Sequence, residues 1–173
     1  MKALILSFLF LPLVTLLEIE LEKRSLLDNK IEIRVPKEFV EMPKEMVAIK
    51  YPGQNKPKLI LTNEATTTNL AFSLTSSEAN PGLIKTYKDL FVQTYKTSFP
   101  SATWLSEGIT EINGKQVGYL KLITEAADQK IFNYVFFTDL EGKLLIGTFN
   151  CVEKDMKVWQ PVGEEMVESL RVK

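Results

Sequence analysis

Three apolar runs between Ala102 and Val152, punctuated by Asn113-Gly114 and by Asp139 to Gly142, constrain this chain more than anything else in it. An Asn-Gly pair between apolar runs favours a two-residue type I′ turn, because both central positions need φ above zero and the turn's twist matches that of the strands. The turn pairs Ile112 with Lys115. Counting outward sets Gly108 opposite Tyr119, Glu107 opposite Leu120, Leu105 opposite Leu122 and Trp104 opposite Ile123. A four-residue turn at Asp139 to Gly142 pairs Thr138 with Lys143, which places Tyr134 opposite Gly147, Phe132 opposite Phe149 and Asn133 opposite Thr148. Both hairpins thus set an aromatic ring across from a glycine, where the ring covers bare backbone.

These strands are apolar on both faces. Leu120 and Leu122 point one way and Tyr119 and Ile123 the other, while Leu144 to Ile146 is unbroken. Strands of this kind need cover on both sides, so the antiparallel sheet is expected to be flanked by helices above and below. Two amphipathic segments meet that need. Asn80 is placed to cap and Pro81 to open a helix whose stripe is Leu83, Ile84, Tyr87, Leu90, Phe91 and Tyr95, bounded by Pro100. A second helix, from about Glu153 to Leu170, carries Met156, Trp159, Val162, Met166, Val167 and Leu170, and Pro161 inside it is expected to kink or divide it. Upstream, Lys30 to Val35 alternates as a half-buried strand, Lys44 to Lys50 forms a short helix stopped by Tyr51-Pro52-Gly53, and Lys58 to Thr62 and Thr67 to Thr75 form strands joined around Asn63-Glu64.

Composition narrows function chiefly by exclusion. The 173 residues suit one core, and 21 basic against 22 acidic residues leave a net charge of -1, without the basic face that a phosphate backbone demands. No nucleic-acid partner is expected. Histidine is absent and Cys151 is the one cysteine, so the common catalytic and metal-binding sets have no members here, and neither a metal nor a cofactor is called for. Gly108 to Lys115 does not make a phosphate loop, since Gln116 stands where a Ser or Thr would hold magnesium and a strand follows instead of a helix.

Ala3 to Leu17 runs without a charge behind Lys2 and is too short for a typical membrane span of about 20 residues. It reads as the hydrophobic region of a signal peptide, within an N-terminal segment of residues 1–25 ahead of a single domain over 26–173. Export to the periplasm or cell envelope follows as the expectation, with a cytoplasmic protein as the alternative. The membrane is touched only through the N-terminal segment if it stays uncleaved.

The order of strand, short helix with a Tyr-Pro turn, hairpin, long helix, three-stranded meander and C-terminal helix is distinctive. With Lys50-Tyr51-Pro52, Leu61-Thr62-Asn63-Glu64, Pro100-Ser101-Ala102-Thr103-Trp104 and Ile112-Asn113-Gly114, it resembles the PsbP-like superfamily over roughly Leu26 to Lys173. That superfamily includes the PsbP subunit of photosystem II, a Ran-binding nuclear import factor and small exported bacterial proteins of unknown function, the last being the branch these stretches are most similar to. The resemblance implies an α+β fold of α/β/α sandwich type and a role as an accessory or binding module. It carries over no catalytic motif, and the apolar N-terminal run departs from the import factor.

The expected function is therefore a noncatalytic accessory or binding module of the bacterial envelope, for a protein or small-molecule partner, with a hydrolase using paired carboxylates or a Ser-Lys pair as the alternative. The carboxylates in question are Glu107, Glu111, Glu125 and Asp128, in or beside the first hairpin. For ligand binding, the candidates are Asn133, Thr148 and Asn150, polar residues that the register puts on one face beside Val135 and Ile146. Amides on an apolar strand must find partners, either a ligand or a neighbouring loop or helix end. Trp104, Trp159, Tyr87 and Tyr95 are expected in the core, and Lys50, Lys56 and Lys58 form a small solvated basic loop.

Overall fold

A computed structural model describes residues 19–126 and 128–173. The expected targeting run, Ala3 to Leu17, lies outside the described residues. The fold is α+β, with a seven-stranded and a three-stranded antiparallel sheet. The chain begins with β1 (Leu21–Leu26) and β2 (Ile31–Pro36), then β3 (Val40–Glu41), α1 (Lys44–Lys50), β4 (Leu59–Thr62) and β5 (Thr68–Glu78). A 3-10 turn at Pro81–Leu83 leads into α2 (Ile84–Ser98). The meander follows as β6 (Thr103–Ile112), β7 (Lys115–Glu125), β8 (Lys130–Leu140) and β9 (Lys143–Val152). The chain closes with α3 (Met156–Glu168) and β10 (Arg171–Val172).

In the large sheet the order is β3-β4-β5-β9-β8-β7-β6, so β5 and β9, distant in sequence, are neighbours at its centre. The sequence reading had one sheet. The small second sheet, β1-β2-β10, escaped it because β10 is two residues long and β1 adjoins the N-terminal apolar run, with Leu21 to Ser25 grouped into that segment.

The first hairpin has the expected register from Ile112↔Lys115 to Glu107↔Leu120, with Gly108 opposite Tyr119. Beyond that a bulge at Leu105 slips the pairing by one, so Trp104 faces Leu122 and Thr103 faces Ile123. The extra residue is left unpaired, which is how a bulge breaks a count made from the turn. In the second hairpin the turn is two residues, not four. Glu141 and Gly142 both take positive φ, 51° and 75°, and Leu140 pairs with Lys143. The register therefore shifts by two, giving Phe136↔Gly147, Tyr134↔Phe149 and Asn133↔Asn150. A two-residue shift preserves which face each side chain occupies, because the strand period is two.

Alternate residues of β8 feed two different cores. Phe132, Tyr134 and Phe136 join Phe72, Phe149, the β2 residues Ile31, Ile33 and Val35, and Met166 and Val167 of α3. Val135 and Phe137 join Leu120, Leu122 and Ile84 of α2, with Phe91 of α2 edge-on to Phe137 at 4.8 Å between centroids. Since neighbouring residues of a strand point to opposite faces, α2 and α3 contact opposite faces of the sheet. The helix α1 adds a small third cluster, Met46, Val47 and Tyr51 over Met42, Ile60 and Ala71.

At the helix ends the sequence signals are only partly realised. Asn80 makes no side-chain cap, and the turn through Pro81 is 3-10 before α2 starts. Nor does Pro161 divide α3, which runs unbroken from Met156 to Glu168. The proline sits in the second turn, on the exposed side, while the next turn presents Gly163 to the sheet.

Three glycines let rings lie flat on backbone. A Cβ on Gly147 would fall 2.1 Å from the Phe136 ring, one on Gly118 2.3 Å from Phe137, and one on Gly163 2.4 Å from Phe149. Overpacking of this kind typically costs 1–3 kcal/mol. Gly147→Ala is accordingly expected to lower the unfolding free energy by about 1–3 kcal/mol in a urea titration. Gly53→Ala, where nothing lies within 4 Å of the added atom, should leave it unchanged within about 0.5 kcal/mol.

Candidate functional site

The face of the large sheet that carries α1 and α2 is crossed by a row of polar side chains. Cross-strand pairing brings Thr62 of β4 next to Asn69 of β5, Asn69 next to Asn150 of β9, and Asn150 next to Asn133 of β8. The Thr62 hydroxyl donates to Asn69 Oδ1 at 2.7 Å, and Asn69 Nδ2 donates to Asn150 Oδ1 at 2.9 Å. Thr62 and Asn69 are almost sealed from solvent, at 1% and 5% exposure, so each of these bonds satisfies a group whose isolation would be costly. The three expected residues thus share a face but not a task. Asn133 turns away and donates to Thr124 Oγ1 and to the Ile131 carbonyl, both at 3.0 Å. Thr148 lies between Ala71 and Val135. Of the three, Asn150 lines a cavity that Asn133 and Thr148 do not reach.

That cavity encloses about 510 Å³. Its floor is the end of the central strands, with Asn69, Asn150, Ile131 and Val152. One wall is the end of α1, Lys50 and Tyr51, and another is the 63–67 loop. Asn63 fixes that loop by accepting from the backbone N–H of Thr67 (2.9 Å) and of Thr68 (3.1 Å), with Thr66 held at φ 55°. The hairpin loop bearing Gln129 closes the third side.

Electrostatics distinguish the α1 wall. The Lys50 side chain is largely exposed, but its ammonium is drawn against the loop, where it donates to the Thr66 carbonyl. Loss of hydration there lowers its pKa from the ordinary lysine value. Burial raises the Tyr51 pKa, with the neighbouring Asn150 amide acting against the rise. Lys50 was expected to be merely solvated, and Tyr51 to mark a helix stop. Their place in the cavity depends on the β5–β9 pairing, which local sequence signals do not report.

The four carboxylates of the hydrolase alternative are not brought together. Glu107 and Glu111 lie on the exposed edge strand β6, with Ile109 between them on the same face, whereas Glu125 and Asp128 lie at the far end of β7. Among the described residues, no group of three His, Cys, Asp or Glu side chains comes together to hold a metal. Ser106 pairs across from Lys121, the nearest approach to a Ser-Lys arrangement in the first hairpin. The Lys121 ammonium, however, donates to Glu164 at 2.6 Å and lies 4.6 Å from the Tyr134 ring centroid, so its charge is already compensated. Trp104, Trp159, Tyr87 and Tyr95 are half-buried at the margins of the cores instead of inside them, with Trp159 5.7 Å from Phe39 and Trp104 under Lys96 beside the α2 cluster.

No protein-family model matches the chain, and no curated protein matches it in sequence. Among solved structures it is similar to cyanobacterial PsbP (CyanoP) from Synechocystis, at a TM-score of 0.62 and 13% identity, over 92% of this chain and 96% of that one. The chain has the PsbP-like fold. The same fold relates it to LpqN of Mycobacterium tuberculosis, which is involved in cell envelope biogenesis, at a TM-score of 0.58, 8% identity and 83% of each chain. It is also similar to PA94 of Pseudomonas aeruginosa, a protein of unknown function, at a TM-score of 0.53, 10% identity and 88% and 97% of the two chains. At such identities the PsbP-like likeness is one of architecture.

Cys151, the one cysteine of the chain, is a nucleophile whose setting disarms it. It is fully buried, and burial first, with the Asp155 carboxylate second, pushes the thiol from its ordinary value of 9.0 up to about 12. The folded state then holds the thiol proton more tightly than the unfolded chain does. Stability from this group is complete below about pH 9 and is lost as pH rises toward 12. We expect no reaction with a thiol reagent at pH 8 until the protein is denatured. The decline of unfolding free energy between pH 9 and 11 should be shallower in Cys151→Ala.

Proposed function

We propose that the protein is a noncatalytic binding module of the bacterial envelope that holds a small polar ligand in the cavity between the end of α1 and the residues Ala126 and Gln129. The observation that carries this reading is the directed chain Thr62 to Asn69 to Asn150. Because Asn150 Oδ1 accepts from Asn69, the Asn150 amide N–H groups are turned to the cavity, beside Tyr51. A sealed polar ladder ending at an open cavity is a pre-ordered recognition element, since its orientation costs nothing further on binding. The volume lies within the range of small-ligand sites.

The envelope location is supported by the charge-free run Ala3 to Leu17 and by the shared fold with LpqN. Among the described residues no helix is long and apolar enough to cross a membrane. Expressed from its full gene in a bacterial host, the protein should fractionate with the envelope and lose roughly its first 17 to 25 residues by intact mass. A full-length cytosolic product would refute export.

For binding, a thermal-shift screen against a mixed library of charged and neutral metabolites should yield at least one compound that raises the Tm of the wild type. The same compound should have little effect on Asn150→Leu, or on Tyr51→Phe if the first variant does not fold, and mass spectrometry should recover it unchanged. No stabilising compound, equal stabilisation of wild type and variant, or conversion of the compound would each overturn the reading.

A further inference from the structure

The cavity is unbalanced in charge and in hydrogen-bond polarity, and both imbalances have the same sign. Among the described residues its lining contains one ammonium, Lys50, and no carboxylate. The carboxylates nearest in sequence, Glu64, Glu125, Asp128 and Glu153, are exposed and outside that lining. By contrast, the concavity under the Asn113 turn mixes Lys23, Arg34 and Arg171 with Glu32 and Glu168, and Glu32 is ion-paired to both Lys23 and Lys173.

Hydrogen-bond direction adds an independent argument. Along the ladder each oxygen acceptor is used by its neighbour, so the last member offers donors: Asn69 takes the Thr62 proton, Asn150 takes one from Asn69, and Asn150 Nδ2, with one proton toward the Tyr51 phenol, keeps a second to offer. At the opposite wall, Thr67 Oγ1 accepts from Asn63 Nδ2 at 3.2 Å, which leaves its own proton for the cavity. One Lys50 proton goes to the Thr66 carbonyl, and a lysine ammonium has three. Desolvation of that ammonium, seen in its lowered pKa, is the kind of cost that a bound anion offsets.

We propose that the cavity takes a small oxyanion, a carboxylate or a phosphate, with Lys50 as counter-ion and the Asn150 amide and Thr67 hydroxyl as donors. This rests on the binding reading above and names the ligand's chemical class. A neutral or cationic ligand would leave the ammonium uncompensated and face donors with nothing to accept them.

Acetate and acetamide provide a size-matched test, with inorganic phosphate as the second anion and sodium chloride matching ionic strength. In amide NMR titrations of the purified protein, acetate or phosphate should give saturable shifts confined to residues 50–51, 66–69, 129–131 and 150–152. Acetamide and chloride should not. Lys50→Met should weaken the anion about tenfold or more, while Lys50→Arg should retain it. Saturation by acetate alone assigns a carboxylate site, and saturation by phosphate alone a phosphate site. If acetamide saturates the same residues as well as acetate does, and Lys50→Met changes nothing, the cavity binds ligands but the oxyanion assignment is wrong. If no probe saturates there, the oxyanion assignment falls, and the metabolite screen decides the binding reading separately.

Discussion

The packing of rings onto bare backbone is the constraint on which the rest of this structure depends. Phe136 rests on Gly147, Phe137 against Gly118 and Phe149 against Gly163, each at a distance that leaves no room for a Cβ. The first two contacts fix how β7, β8 and β9 lie against one another, and the third sets how closely α3 approaches β9. Phe136 is in turn edge-on to Phe72 at 5.9 Å and to Tyr134 at 6.0 Å, so the same ring ties β5 to the meander. Edge-on aromatic pairs contribute about 0.5–1.5 kcal/mol each beyond area burial, which makes this set a substantial part of the core on the α3 face.

That face also holds a polar strap. Lys121 reaches from β7 to Glu164 of α3, and Gln160 donates to the same carboxylate oxygen at 3.0 Å. The Lys121 ammonium lies 5.8 Å from the Tyr119 ring and 4.6 Å from that of Tyr134. Burial keeps the Tyr134 phenol protonated well above its ordinary range, and the Glu164 carboxylate adds to that effect. The cation is thus spent on docking a helix. On the other face, Lys50 is opposed by no carboxylate among the described residues lining its cavity, and this difference separates a structural lysine from a candidate binding one.

Turn chemistry explains how far the fold was legible. Asn113-Gly114 is a strong type I′ signal and sets six cross-strand pairs correctly, from Ile112 to Glu107, but a bulge has no comparable signature, and the slip at Leu105 is invisible to a count made from the turn. Glu141-Gly142 makes the same kind of tight turn with a residue that rarely takes φ above zero, so a longer loop looked equally good. The resulting error of two left the faces intact, which is why Asn133, Thr148 and Asn150 were correctly placed together. Their neighbours were not recoverable in the same way. Asn69, Tyr51 and Lys50 reach the cavity only through β4 and β5, and no local pattern says that β5 lies beside β9.

That central pairing carries a kinetic meaning. Asn69 and Asn150 are 81 positions apart, whereas β6 to β9 are joined by short hairpins. Loop-closure entropy favours near contacts first, so the meander is the part of the sheet that can form early, and the β5–β9 seam is the part that must wait for a distant strand. Until β5 arrives, β9 presents an aromatic-lined open edge, the form in which a chain is most prone to pair with the wrong strand. The polar ladder crosses this seam. The Asn69 amide reaches the Asn150 oxygen only in the correct register, so the feature that shapes the cavity also checks the alignment of this long-range seam.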